Sequence, residues 1–126
     1  MSERIELSAA PESVAAARRW TERRLQELGH ADLTEPTTQV VSELVANVVL
    51  HARTACAVRI VEVGSRLRVE VTDHSDRMPG PVGNDPMAGS GRGLRMVERL
   101  TAASGSEAHP DGGKLIWAEI DLVPAP

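Results

Sequence analysis

The chain has 126 residues, 41% of them hydrophobic, and a net charge of −4, which suits one domain with a single core. Its aromatics are two Trp with no Phe or Tyr, which argues against the stacking platforms of single-strand nucleic-acid binders. The acidic balance, with no basic patch and Lys114 as the only Lys, argues against duplex binding by phosphate neutralisation.

Met1 to Ala10 carries two Glu and an Arg without an apolar core, so a signal peptide is not expected. No apolar run approaches the roughly 18 residues of a membrane span. Cys56 is the only cysteine, which excludes an internal disulfide and fits a reducing, cytoplasmic setting. Ile5 and Leu7 flank Glu6 in the alternation of a short edge strand. From Ser13 to Leu28 apolar residues recur at helical spacing, with Arg24 in step, and Gly29 is placed to end the helix. A second helix is expected to run to about His51, with Thr34 or Thr37 as its cap. Its many Val residues require tertiary packing to hold it.

Residues 55–63 and 67–72 alternate around Gly64-Ser65, the pattern of a β-hairpin that Asp73 ends. Residues 74–90 show neither period and read as a long functional or mobile loop. Gly91 to Leu100 returns to helix. A closing hairpin follows, with a weak strand at 104–109, a turn at Asp111-Gly112-Gly113 and a strong strand at 115–122. This order of helices and hairpins predicts a two-layer α/β sandwich, a mixed sheet with helices on one face.

Glu43, Asn47 and His51 stand four residues apart on an otherwise apolar helix, forming one polar line. Such a line faces solvent or a ligand; an amide oxygen suits Mg²⁺, and a carboxylate one turn away suits a general base. A bare solvated helix face fits these three residues equally well. Asp73, at a strand's carboxyl end, can accept from the 6-amino group of adenine and would repel a 6-oxo group. Taken alone it also fits an ordinary turn-forming Asp. Gly89-Ser90-Gly91-Arg92-Gly93 opens a helix whose first N–H groups are suited to phosphate, with Arg92 as a movable cation. A flexible hinge is the plainer reading of that stretch. Gly112-Gly113-Lys114 reads as a hairpin turn, with a place for Lys114 near phosphate as the alternative, Trp20 and Trp117 as core, and Cys56 as a small buried hydrophobe. His30, His74 and His109 match no metal spacing.

Together these segments resemble the GHKL ATPases, the gyrase, chaperone, histidine-kinase and mismatch-repair superfamily. Glu43-Leu-Val-Ala-Asn47-Val-Val-Leu-His51-Ala52 resembles its Asn-containing box, and Val-Glu-Val-Thr-Asp73 its first adenine box. Gly91-Arg92-Gly93-Leu94 resembles its second glycine box, and Gly113 to Ile120 its closing strand. Length and motif order are similar to the compact anti-sigma-factor serine kinases, in the branch common in actinobacteria.

The resemblance implies one Bergerat-type domain over residues 1–126 that binds ATP and Mg²⁺, with a lid at about 74–90. It implies that Asn47 coordinates Mg²⁺, Glu43 is the general base and Asp73 reads adenine. Gly89, Gly91, Arg92, Gly93 and Leu94 would bind the nucleotide's phosphates. Its implied partners are a sigma factor, an anti-sigma-factor antagonist phosphorylated on serine, and a second copy in a homodimer. The chain departs from the pattern where Asp-x-Gly-x-Gly becomes Asp73-His74-Ser75-Asp76-Arg77, and where Leu115 stands in place of a frequent Thr. A regulator without kinase activity is therefore the alternative expectation.

Overall fold

The computed structural model describes residues 2–75, 91–110 and 112–122, with 91–94 described by backbone alone. Strand β1 (Arg4–Leu7) leads to helix α1 (Glu12–Leu28). A single 3₁₀ turn (Ala31–Leu33) then opens directly into α2 (Thr34–Asn47). A π-helical turn (Val48–Ala52) precedes the hairpin of β2 (Cys56–Val63) and β3 (Arg66–Asp73). Helix α3 (Gly91–Leu100) and the hairpin of β4 (Ala103–Ala108) and β5 (Lys114–Asp121) complete the described fold.

The apolar spacing read in α1 is its buried stripe: Ala17, Trp20 and Leu25 face the core. Arg24 lies on the same stripe and is 8% exposed. Its burial is compensated by Nε and Nη2 donating to the Ile60 carbonyl at 3.1 and 2.9 Å, and by Nη1 donating to Glu27 at 2.6 Å. Gly29 ends the helix in the left-handed region at φ 79°, where the Gly29 and His30 N–H groups donate to the carbonyls of Gln26 and Leu25.

Neither Thr34 nor Thr37 caps α2, in contrast to the expectation: the preceding 3₁₀ turn winds straight into it, and no side chain caps its start. Thr38 Oγ1 donates instead to the Thr34 carbonyl at 2.8 Å, and Thr37 is fully buried. Val40, Val41, Leu44 and Val45 are at most 1% exposed. Each such side chain removed from water contributes about 1.5–3 kcal/mol, which offsets the poor helix propensity of valine.

The sheet has five strands in the order β1-β2-β3-β5-β4. The helices cover one face, against Val58, Ile60, Leu67, Val69, Val71, Ile116, Ala118 and Ile120. The two-layer α/β sandwich stands, but every described pairing is antiparallel where a mixed sheet was expected. Two helical passes, α1 and α2, bring the chain back so that β2 runs opposite to β1. The single pass of α3 gives β4 the direction of β3, but β5 lies between them, so no parallel neighbours form.

On the uncovered face, Arg59, Arg68 and Arg66 interleave with Glu3, Glu70, Glu119 and Asp121 in a ladder of ion pairs, each 2.8–3.2 Å long. Trp117 belongs to this face rather than to the core: the Arg68 guanidinium sits 4.6 Å from its ring centroid. The ring covers Gly105 on β4, directly opposite in register.

Candidate functional site

The antiparallel register fixes which strand residues share an end of the sheet. Leu7 pairs with Cys56, Cys56 with Asp73, and Asp73 with Lys114, so these four residues mark one end. Helix α1 starts there and runs away; His30, just beyond its end, bonds Glu62 at 2.6 Å near the opposite end. Helix α2 therefore returns toward the first end, and Asn47 is its last residue. Only the π turn and Arg53-Thr54-Ala55 separate Asn47 from Cys56. The Ala102 N–H donates to the Glu119 carbonyl, so β4 begins at the far end and α3 runs toward that end.

Asn47 is 5% exposed and Glu43, one turn earlier, is half-buried. His51 is exposed, so the three residues do not form one uniform polar line. α-Helical bonding stops at Asn47, and the wider π turn closes with Arg53 donating to the Val48 carbonyl at 2.7 Å. Arg53 takes the left-handed conformation at φ 56°, which turns the chain sharply into β2. Single π turns occur at helix C-termini and frequently at functional positions, and this one ends α2 beside Asn47.

Asp73 is 1% exposed and its carboxylate is engaged twice. Oδ1 accepts the Ser75 N–H at 2.9 Å, and Oδ2 lies 3.3 Å from the Lys114 ammonium, itself 5% exposed. The His74 N–H donates to Thr54 Oγ1 at 3.2 Å, tying the strand exit to the segment after the π turn. Gly113 packs directly against this exit: a Cβ there would stand 2.0 Å from the Asp73 carbonyl oxygen, and its φ is +84°. Gly113 is thus a close-approach position as well as a turn residue. Burial, then the Asp73 charge, pushes the Cys56 thiol up to about 11, leaving it protonated and unreactive at neutral pH.

Lys114, expected as a turn residue with a place near phosphate as the alternative, is instead paired with the Asp73 carboxylate. The signal was present: Lys114 leads the alternation Lys114, Ile116, Ala118, Ile120, which are the covered positions of β5. A lysine on that face needs a buried counter-charge, and Asp73 is its register partner.

Gly89 and residues 76–90 of the expected lid lie outside the described residues, as does Asp111 of the expected turn. Gly91, Arg92, Gly93 and Leu94 form the first turn of α3 by backbone, but their side chains lie outside the description. An unsatisfied helix N-terminus attracts anions, which keeps that turn a candidate for phosphate.

Among the described residues no group of three or more His, Cys, Asp or Glu could hold a metal ion. A single hard oxygen from Asn47 suits Mg²⁺, which keeps waters and phosphate oxygens and takes few protein ligands. No helix among the described residues is long and apolar enough to cross a membrane.

A family model for the histidine kinase-like ATPase domain matches residues 7–119, a span that includes every candidate residue from Glu43 to Lys114. A comparison with curated proteins finds no match.

Proposed function

Since the chain belongs to the histidine kinase-like ATPase domain family, within the GHKL ATPases, we propose that it binds Mg²⁺-ATP and serves as a regulator of the anti-sigma-factor serine-kinase type. The observation that carries this reading is convergence. The last residue of α2, Asn47, and the last residue of β3, Asp73, come to one end of the sheet, with half-buried Glu43 a turn behind.

In this reading Asn47 offers its amide oxygen to Mg²⁺, and Asp73 accepts from the adenine amino group. The ion, when bound, screens the charge of the phosphates during transfer. Glu43 takes the proton of a serine hydroxyl on an antagonist protein. As that oxygen bonds to the γ-phosphorus, the bond to the β-phosphate oxygen breaks and ADP departs. The backbone N–H groups of Gly91 and Gly93 hold phosphate oxygens at the start of α3. A sigma factor and an antagonist are the partners, in the cytoplasm, and a homodimer is the working assembly.

Titration calorimetry tests the binding step. Metal-dependent ATP binding is expected, and Asn47→Ala should weaken it about tenfold or more, as loss of one oriented ligand does. No binding by the folded protein at millimolar ATP would overturn the reading. Phosphotransfer to a cognate antagonist should fall about a hundredfold or more in Glu43→Gln, the scale of a lost general base. Unchanged transfer would remove Glu43 from the chemistry.

A second reading, a partner-binding regulator without kinase activity, is favoured by one feature. The Asp73 carboxylate is already engaged by Lys114 and the Ser75 N–H, and neither glycine of the adenine box is present. Phosphotransfer that depends on Asn47 would exclude it.

A further inference from the structure

The pairing of Asp73 with Lys114 changes what the end of the sheet can recognise. A lone buried carboxylate is acceptor-only, so it favours a 6-amino purine and repels a 6-oxo group. Here the Lys114 ammonium lies 3.3 Å from Asp73 Oδ2, and the two side chains are 5% and 1% exposed. An ammonium carries three donor hydrogens. Asp73 is the one ion-pair partner that Lys114 has among the described residues, and that pair uses only part of the ammonium's donor capacity.

Both residues sit on the helix-covered face, as Asp73 ends β3 and Lys114 begins β5 directly opposite in register. Asp73 and Lys114 thus form an adjacent acceptor and donor. A 6-oxo purine presents the complementary pair, a carbonyl oxygen beside an N1–H donor. Adenine presents the same complement in reverse, an amino donor beside an N1 acceptor. A fixed carboxylate alone offers nothing to the 6-oxo oxygen, whereas an ammonium beside it can donate to that oxygen while the carboxylate accepts from N1–H, once the base shifts by one position along the pair.

We infer that Lys114 is a base-selectivity residue that lets this site take 6-oxo purine nucleoside triphosphates as well as ATP. The inference rests on the proposed nucleotide site and adds the class of base that the site admits. Lys114 touches the base edge; it takes no part in phosphoryl transfer.

The test is titration calorimetry of the whole chain with ATP and with ITP, each with MgCl₂. ITP carries the 6-oxo edge without the 2-amino group of guanine, so the comparison isolates the 6-position. The wild-type dissociation constants are expected to agree within about threefold, and Lys114→Met should shift the ratio toward ATP by about tenfold or more, the discrimination that one paired hydrogen-bonding edge gives. Wild-type protein that binds ATP more than about tenfold tighter than ITP would overturn the inference. So would a ratio that Lys114→Met, shown folded by its melting transition, leaves unchanged. The wild-type ratio decides the matter even should Lys114→Met fail to fold. Binding of neither nucleotide by the folded wild type would sink the nucleotide site and this selectivity together; ATP-only binding would sink the selectivity alone.

Discussion

Gly113 has no room for a side chain. A Cβ would stand 2.0 Å from a backbone oxygen that no rotamer change can move, at a φ of +84°. Gly113→Ala should therefore destabilise the fold by about 3 kcal/mol or more, read as a lower urea midpoint, and should weaken nucleotide binding because the displaced atom belongs to Asp73. Cys56 supplies a pH dependence. Its thiol rises from 9.0 to about 11 on folding, so the folded chain holds its proton more tightly. The associated stability is fully present below pH 9 and is lost as pH rises toward 11. Denaturant midpoints measured across that window should fall, and Cys56→Ala should remove this part of the fall. At this scale the sequence singled out Asp73 and Lys114 separately, but not their pairing. A single lysine beside two glycines reads as a turn, and only the pairing of β3 with β5 brings its ammonium to the carboxylate.

Among the elements, the hairpin of β4 and β5 is held partly by one ring. Trp117 lies over Gly105, and a Cβ on Gly105 would come within 2.8 Å of that ring. Gly105→Ala should cost about 1–2 kcal/mol and alter the near-ultraviolet dichroism, because the ring is pushed toward Arg68. The ladder on the same face responds to acid. Burial raises the Glu70 carboxyl, but hydrogen bonds from Arg68 and Arg59 outweigh it and leave it below the usual 4.5. Glu119 is held low by its hydrogen bond from Arg68, against burial, with Arg66 adding to the effect. Folded values below the unfolded one mean stability that is present above pH 4.5 and lost as pH falls through the lowered values. Thermal melts between neutral pH and pH 3 should show that loss, and Glu70→Gln with Glu119→Gln should flatten it. Most elements were legible from local signals: the stripe of α1, the left-handed Gly29 and the alternation of β2 and β3. The π turn was not, because Val48 to Ala52 carries no local mark that separates it from continued α-helix. The start of α2 differs from the capped start expected because a 3₁₀ turn replaces the side-chain cap.

For the whole molecule, the even number of helical passes between β1 and β2 decides the architecture. It returns α2 to the end of the sheet where β3 finishes, so Asn47 and Asp73 lie toward the same end although 26 residues apart in the sequence. The order of elements along the chain was legible; the order of strands in the sheet was not, since the insertion of β5 between β3 and β4 is a long-range pairing without a local signal. Ligand binding to this end should stabilise the whole fold. At a Mg²⁺-ATP concentration of about 100 times the dissociation constant, the gain is about 2.7 kcal/mol, visible as a melting temperature that climbs with nucleotide and climbs distinctly less in Asn47→Ala at the same concentration. The buried Lys114 has a further use. It is the chain's only lysine, and its side chain is 5% exposed in the ion pair. Acylating reagents that target ε-amines therefore meet no exposed lysine on the folded protein. The rate at which Lys114 is acylated becomes a stopwatch for the opening of that one corner, readable by mass on the peptide that carries Lys114, apart from the N-terminal amine, without any engineered label.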